Sequence, residues 1–233
     1  MTLPNLSLLE KLCSIHAPSG EEKTLSEFVV NYVQKNSNKW STKPEVISGS
    51  GFQDCILLKF GNPRLAAIAH LDSTGFTVRY ENQLIPIGSP EARNGDQLVG
   101  QDARGMIECS IKFIDDHAYY DFGRNIERGT SLTFKPRFQF DGHIIESPYL
   151  DNRAGIYNLL KLAETLTDGL LIFSTWEEHG GGSVPFLTKY FFEKYNIAQC
   201  LISDVTWSSD GVYPGDGVVI SGRDSNIPRR IFI

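Results

Sequence analysis

No stretch of this 233-residue chain approaches the roughly 20 consecutive apolar residues that a membrane-spanning helix needs. The N-terminus lacks the basic segment, apolar run and small-residue cleavage site of a secretory signal. There is no basic stripe or basic amphipathic helix: 22 Lys and Arg are scattered among 28 Asp and Glu, for a formal net charge of -6. That balance argues against nucleic acid or a membrane surface as partner. Cysteine is sparse, and Cys13, Cys55, Cys109 and Cys200 show no Cys-x-x-Cys pairing. Zinc ribbons and dithiol redox motifs are thereby excluded, and the four read as buried thiols of a reducing compartment. A cytoplasmic protein is expected.

What is present is an alternation of strand and helix patterns with one interruption. Apolar residues recur at helical spacing from Leu6 to Ile15. Ser19 and Glu22 have the S-x-x-E spacing of a capping box, which predicts a second helix running to about Gln34. Strand patterns follow at Glu45 to Ile47, Asp54 to Phe60 and Leu65 to Ala69. From Thr77 to Phe140 the texture changes to short alternating runs and many glycines, the pattern of a small all-β module. Strand and helix patterns return after it, at about Ile156 to Leu166, from Leu170, at Val184 to Tyr195 and at Gln199 to Ser203. An α/β domain carrying an inserted β-module is expected, divided as 1–75, 76–144 and 145–233.

Three apolar strands stop at residues that can bind a metal or carry a proton: His70 and Asp72, Glu177 and Glu178, and Asp204. In open sheets of strand-helix-strand type, sites collect at the carboxyl ends of the strands, so one shared site explains the coincidence better than three accidents. His70 and Asp72 lie two apart, where the carboxylate can fix the tautomer of a ligating imidazole. Asp151 precedes a helix and reads equally as its N-cap. Each motif alone also has a purely structural reading: a satisfied core pair, a cap, a solvated strand end. Together, His, Asp and Glu are donors suited to zinc, manganese or cobalt, and their carboxylates would repel each other without a cation between them.

The runs Ala69-His70-Leu71-Asp72-Ser73-Thr74-Gly75-Phe76, Leu150-Asp151-Asn152-Arg153-Ala154-Gly155, Glu177-Glu178 and Ile202-Ser203-Asp204-Val205-Thr206 stand in an order that resembles metallopeptidase family forty-two. These are cytosolic dinuclear-metal aminopeptidases, including glutamyl and tetrahedral aminopeptidases and some once described as endoglucanases. The likeness takes in Pro18-Ser19-Gly20-Glu21-Glu22 and covers nearly the whole chain. It implies a mixed central sheet sandwiched by helices, as in zinc aminopeptidases, with a PDZ-like inserted β-domain that mediates homo-oligomers. It further implies two divalent transition metals, with zinc favoured and cobalt or manganese as options. His70 and Asp204 would bind the first, Glu178 the second, and Asp151 both. Asp72 would support His70, and Glu177 would be the general base that deprotonates the attacking water. The substrates implied are short peptides with a free N-terminus.

Two departures from the family are visible. His179 stands where a less polar residue is usual and reads as a loop residue near substrate. The second metal's remaining His belongs to a segment beyond the Asp204 strand, and none of His16, His117, His143 or His179 fills its place. Gly222-Arg223-Asp224 and the apolar Ile231-Phe232-Ile233 predict that the natural product continues further. A related dinuclear-zinc amidohydrolase or deacylase, and a catalytically inactive protein that keeps the fold for binding or assembly, remain open alternatives.

Overall fold

The computed structural model describes residues 5–221, so Gly222-Arg223-Asp224 and Ile231-Phe232-Ile233 lie outside the described residues. A short helix, Ser7–Cys13 (α1), is followed by Lys23–Asn36 (α2), which buries Leu25, Val29 and Val33 at four-residue spacing on one face. Strands Glu45–Ile47 (β1), Ile56–Phe60 (β2) and Leu65–His70 (β3) come next. The all-β module then supplies Gly75–Val78 (β4), Gln83–Ile87 (β5), Gln97–Asp102 (β6), Gly105–Ile114 (β7), His117–Asp121 (β8) and Ser131–Phe134 (β9). A two-stranded ribbon, Gln139–Phe140 (β10) with Ile145–Glu146 (β11), leads to helix Leu150–Ala163 (α3). Strand Gly169–Ser174 (β12), helix Val184–Lys194 (α4) and strand Gln199–Ile202 (β13) complete the order.

The main sheet runs β1-β2-β12-β3-β13, with β12, β3 and β13 mutually parallel, β2 antiparallel to β12, and β1 antiparallel to β2. Alternate residues of the central strands face two different layers. Ile56, Leu58, Phe60, Leu171 and Phe173 pack with α1, α2 and α3, whereas Leu57, Leu170, Ile172 and Ile68 pack against Leu187 and Phe191 of α4. Burial on both faces explains why β12 reads as an unbroken apolar run and not as an alternation. The sheet is therefore mixed and sandwiched by helices. Among the described residues no helix is long and apolar enough to cross a membrane.

The inserted module is a closed barrel, β4-β5-β8-β7-β6-β9, filled by Phe76, Leu98, Ile107, Ile111 and Leu132; closure leaves it no free strand edge. Its strand β8 starts from a polar turn: Asp115 and Asp116 both adopt positive φ and send His117 back along β7. One expectation fails at Cys200. Cys13, Cys55 and Cys109 are buried, but Cys200 is exposed because, among the described residues, β13 is the outermost strand of its sheet and all four of its residues are exposed.

Among the described residues, one cationic side chain lies wholly inside. Arg153 of α3 is 0% exposed. It donates to the carbonyls of Leu12 (3.3 Å) and Ile15 (3.4 Å), and also to that of Leu71. Leu12 lies in the last turn of α1 and Ile15 just past its end, where the helix dipole favours positive charge. Burial pulls Arg153 down to about 10, so it stays cationic at neutral pH. Arg153→Met should fill similar space while taking the donor away from these buried carbonyls, and urea unfolding should show a loss of about 2–4 kcal/mol.

Candidate active site

Because β12, β3 and β13 are parallel, their carboxyl ends open on the same edge of the sheet. His70 is the last residue of β3 and is 3% exposed. Asp204 follows β13, and Glu177–His179 forms a 3-10 turn just after β12. The start of α3 brings the fourth group.

There the structure corrects the expected cap. The α3 N-terminus makes no side-chain cap through Asp151, which has non-helical φ and ψ, and the Asp151–Asn152 peptide is cis. Asn152 caps instead: its Oδ1 accepts from Gly155 N–H at 2.9 Å, and its Nδ2 donates to the Ser203 carbonyl at 2.9 Å. Asn152 thus ties the helix start to the end of β13, and Asp151 is left with its carboxylate 55% exposed and turned to His70. A Cβ at Gly155 would collide with Asn152 Oδ1 and Ser203 O, so only glycine permits this approach. Asn three residues before Gly155 already has the spacing of a cap, a signal obscured by the Asp beside it.

His70 Nε2 is 3.0 Å from Asp151 Oδ1, 3.8 Å from Asp204 Oδ1 and 4.0 Å from Glu177 Oε2. His70, Asp151 and Asp204 each offer a ligand atom, and these atoms all lie within 4.8 Å of one another; no other such group occurs among the described residues. Asp72 is fully buried beneath them. Its Oδ1 is 3.5 Å from His70 Nδ1, while Oδ1 and Oδ2 accept the N–H groups of Glu177 and Glu178, each at 3.0 Å. Asp72 therefore holds the turn at least as firmly as it holds the imidazole.

Glu178 is not in the three-residue group. It stands on the barrel side, where a Cβ on Gly88 would come within 2.9 Å of its Oε2. No other His joins the cluster. His16 Nδ1 lies 2.9 Å from Thr133 Oγ1, and His117 Nδ1 lies 2.7 Å from the Asp115 carbonyl. The exposed His179 has its Nδ1 2.6 Å from Ser19 Oγ. The expected Ser19–Glu22 capping box does not form: α2 has no side-chain cap, and both residues reach into the Trp176–His179 turn.

Burial and like charge oppose one another within the cluster. Burial lifts the Glu178 carboxyl from 4.5 to about 7, with the charge of Asp151 adding to it; Asp204 is raised likewise by burial. Burial alone would lower His70, but hydrogen bonds to Asp151 and Asp72 and the charge of Asp204 override it and lift the imidazole to about 10. Asp72 stays low, despite its burial, through His70 and the two amides. One imidazole among converging carboxylates is a donor set that fits a divalent transition metal, whose charge would remove the conflict.

No family model matches the sequence, and no curated protein matches it. Solved structures do share the fold. An aminopeptidase from the archaeon Desulfurococcus kamchatkensis is 21% identical, with a TM-score of 0.70 over 91% of this chain and 65% of its own. A TET aminopeptidase from a marine-sediment thaumarchaeon is 17% identical, with a TM-score of 0.71 over 91% of this chain and 67% of its own. The Pyrococcus horikoshii TET1 peptidase, which can assemble into a tetrahedron or a large octahedral shell, is 18% identical, with a TM-score of 0.68 over 85% of this chain and 68% of its own. The chain spans only about two thirds of their length, and at these identities the likeness is one of fold.

The charge conflict predicts how the metal-free protein responds to pH. With Glu178 at about 7 folded and near 4.5 unfolded, the native state holds the extra proton between those values, so stability falls as pH rises through that window. His70, at about 10 folded against 6.5 unfolded, contributes stability that is complete below 6.5 and lost as pH climbs toward 10. Both slopes have the same sign. After chelation and dialysis, the thermal midpoint should be lower at pH 8.5 than at pH 5.5, and added zinc should flatten the difference.

Proposed function

We propose that this chain is a metal-dependent aminopeptidase that hydrolyses N-terminal residues from short peptides. The observation that carries the reading is the meeting of His70, Asp151 and Asp204 at the carboxyl end of three parallel strands, with the Glu177 carboxylate 4.0 Å from the same imidazole. His70 and Asp204 would hold a first ion, Asp151 would serve both, and Glu178 would face a second. Zinc is favoured, with cobalt and manganese as options for the same donors. Such an ion, when bound, supplies Lewis-acid polarisation of a carbonyl and makes water more acidic.

The chain's own residues do the rest. Glu177 projects its half-exposed carboxylate into the cluster from a turn whose amide is fixed by Asp72, so it can take a proton from the attacking water and return it to the leaving amine. Asp72 keeps His70 and the turn in register. The surrounding carboxylates suit the positive charge of a free peptide N-terminus, which accounts for trimming from that end. The inserted domain, 76–144, expected as PDZ-like and built as a barrel, would carry homo-oligomer contacts in a cytoplasmic enzyme. The fold likeness to the two archaeal aminopeptidases supports this reading.

Metal analysis and substrate class test it together. The protein should bind zinc, cobalt or manganese and release p-nitroaniline from aminoacyl p-nitroanilides, while N-acylated amino acids stay intact. Hydrolysis of the N-acyl substrates alone would show a deacylase, and metal content below one equivalent under replete conditions would overturn the reading. Glu177→Gln should retain metal and lose at least about a hundredfold in kcat, the range for removing a general base.

A further inference from the structure

We infer that Glu22 is a positioning residue that sets where Glu177 stands, an inference that rests on the proton-carrying role given to Glu177. Glu22 begins α2 but caps nothing with its side chain. Its carboxylate is 1% exposed, and Oε1 accepts from Gly20 N–H and from Trp176 N–H, each at 3.0 Å. Burial raises the cost of its charge, and Asp72 nearby adds to that cost, so capping α2 does not account for a carboxylate here. Its partner explains it.

Trp176 has φ 61 and ψ 28, a left-handed conformation that a bulky residue has no intrinsic reason to adopt. It is the hinge between the end of β12 and the Glu177–His179 turn. The next two amides, of Glu177 and Glu178, are taken by Asp72 at 3.0 Å each. Three successive N–H groups at the start of a turn, where no helical acceptor exists, are thus gripped by two buried carboxylates from separate segments. Asp72 grips from the strand end that carries His70, and Glu22 grips from outside the cluster.

The same segment secures the far end of the turn, through Ser19 Oγ at 2.6 Å from His179 Nδ1. It is itself fixed. Ser19 N–H donates to the Ser73 carbonyl and Ser73 N–H to the Ala17 carbonyl, each at 3.1 Å, and Ser131 Oγ of the barrel donates to Glu21 Oε1 at 2.7 Å. Glu22 therefore carries the position of a rigid frame to the backbone that aims Glu177.

The test compares Glu22→Ala, Glu22→Gln and Glu22→Asp with the wild-type protein, reading kcat and KM on an aminoacyl p-nitroanilide and hydrogen exchange at the Trp176 amide. Glu22→Ala should lose on the order of a hundredfold in kcat with KM unchanged, because a displacement of about 1 Å at a catalytic group has that effect. Exchange at Trp176 should accelerate. Glu22→Gln keeps an oxygen that accepts both N–H groups and should restore rate and protection. Glu22→Asp keeps the charge but withdraws it by one methylene, and should lose rate even if Glu22→Ala does not fold. Wild-type kcat in both Glu22→Ala and Glu22→Asp, or lost rate with Trp176 still protected, would overturn the inference. An inactive wild-type protein would sink the proposed function, while Trp176 exchange in the variants would still decide the anchoring.

Discussion

The site depends on one fully buried carboxylate. Asp72 sits two residues beyond the end of β3, near the imidazole of His70, and its two oxygens take the amides of Glu177 and Glu178. A buried carboxylate is tolerable only when its lone pairs are used, and here every useful donor belongs to the site. Arg153, enclosed behind it and bonded to the carbonyls of Leu71 and Asp72, adds positive charge in the same low-dielectric region. The ends of β3 and β12 are thus joined through charge as well as through the sheet ladder.

Around that centre the main elements answer different demands. The parallel strands deliver His70, Glu177 and Asp204 to one edge. Helix α3 delivers Asp151, and Gly155 and Asn152 let it approach close enough to matter. The barrel presses Gly88 against Glu178, so the insertion forms part of the wall of the site. A cluster assembled from separate segments, with His70, Asp151 and Asp204 all far apart in sequence, needs such bracing to keep like charges together.

Much of the fold was legible in the sequence because burial writes a pattern. The unbroken apolar run of β12, the periodic face of α2 and the ligand-type residues that end three strands all point to a sheet with a site at its edge. What was not legible depended on competition between neighbours. Asp151 and Asn152 are both good caps, and nothing in their order says that Asn152 wins and frees Asp151. Ser19 and Glu22 have the spacing of a capping box, yet a turn 150 residues away in the chain offers their side chains better partners. Cys200 looks buried because its run is apolar, but the outermost strand of a sheet receives no neighbour on one side.

That outermost strand has a further meaning. Asp204 hangs from β13, whose Leu201 is 61% exposed and whose only ladder among the described residues is with β3. The carboxylate that would complete the first cation's ligands is thus carried by the least supported strand of the sheet. By linkage, an ion held by Asp204 and a neighbour lying along the outer edge of β13 would each favour the other by the same factor.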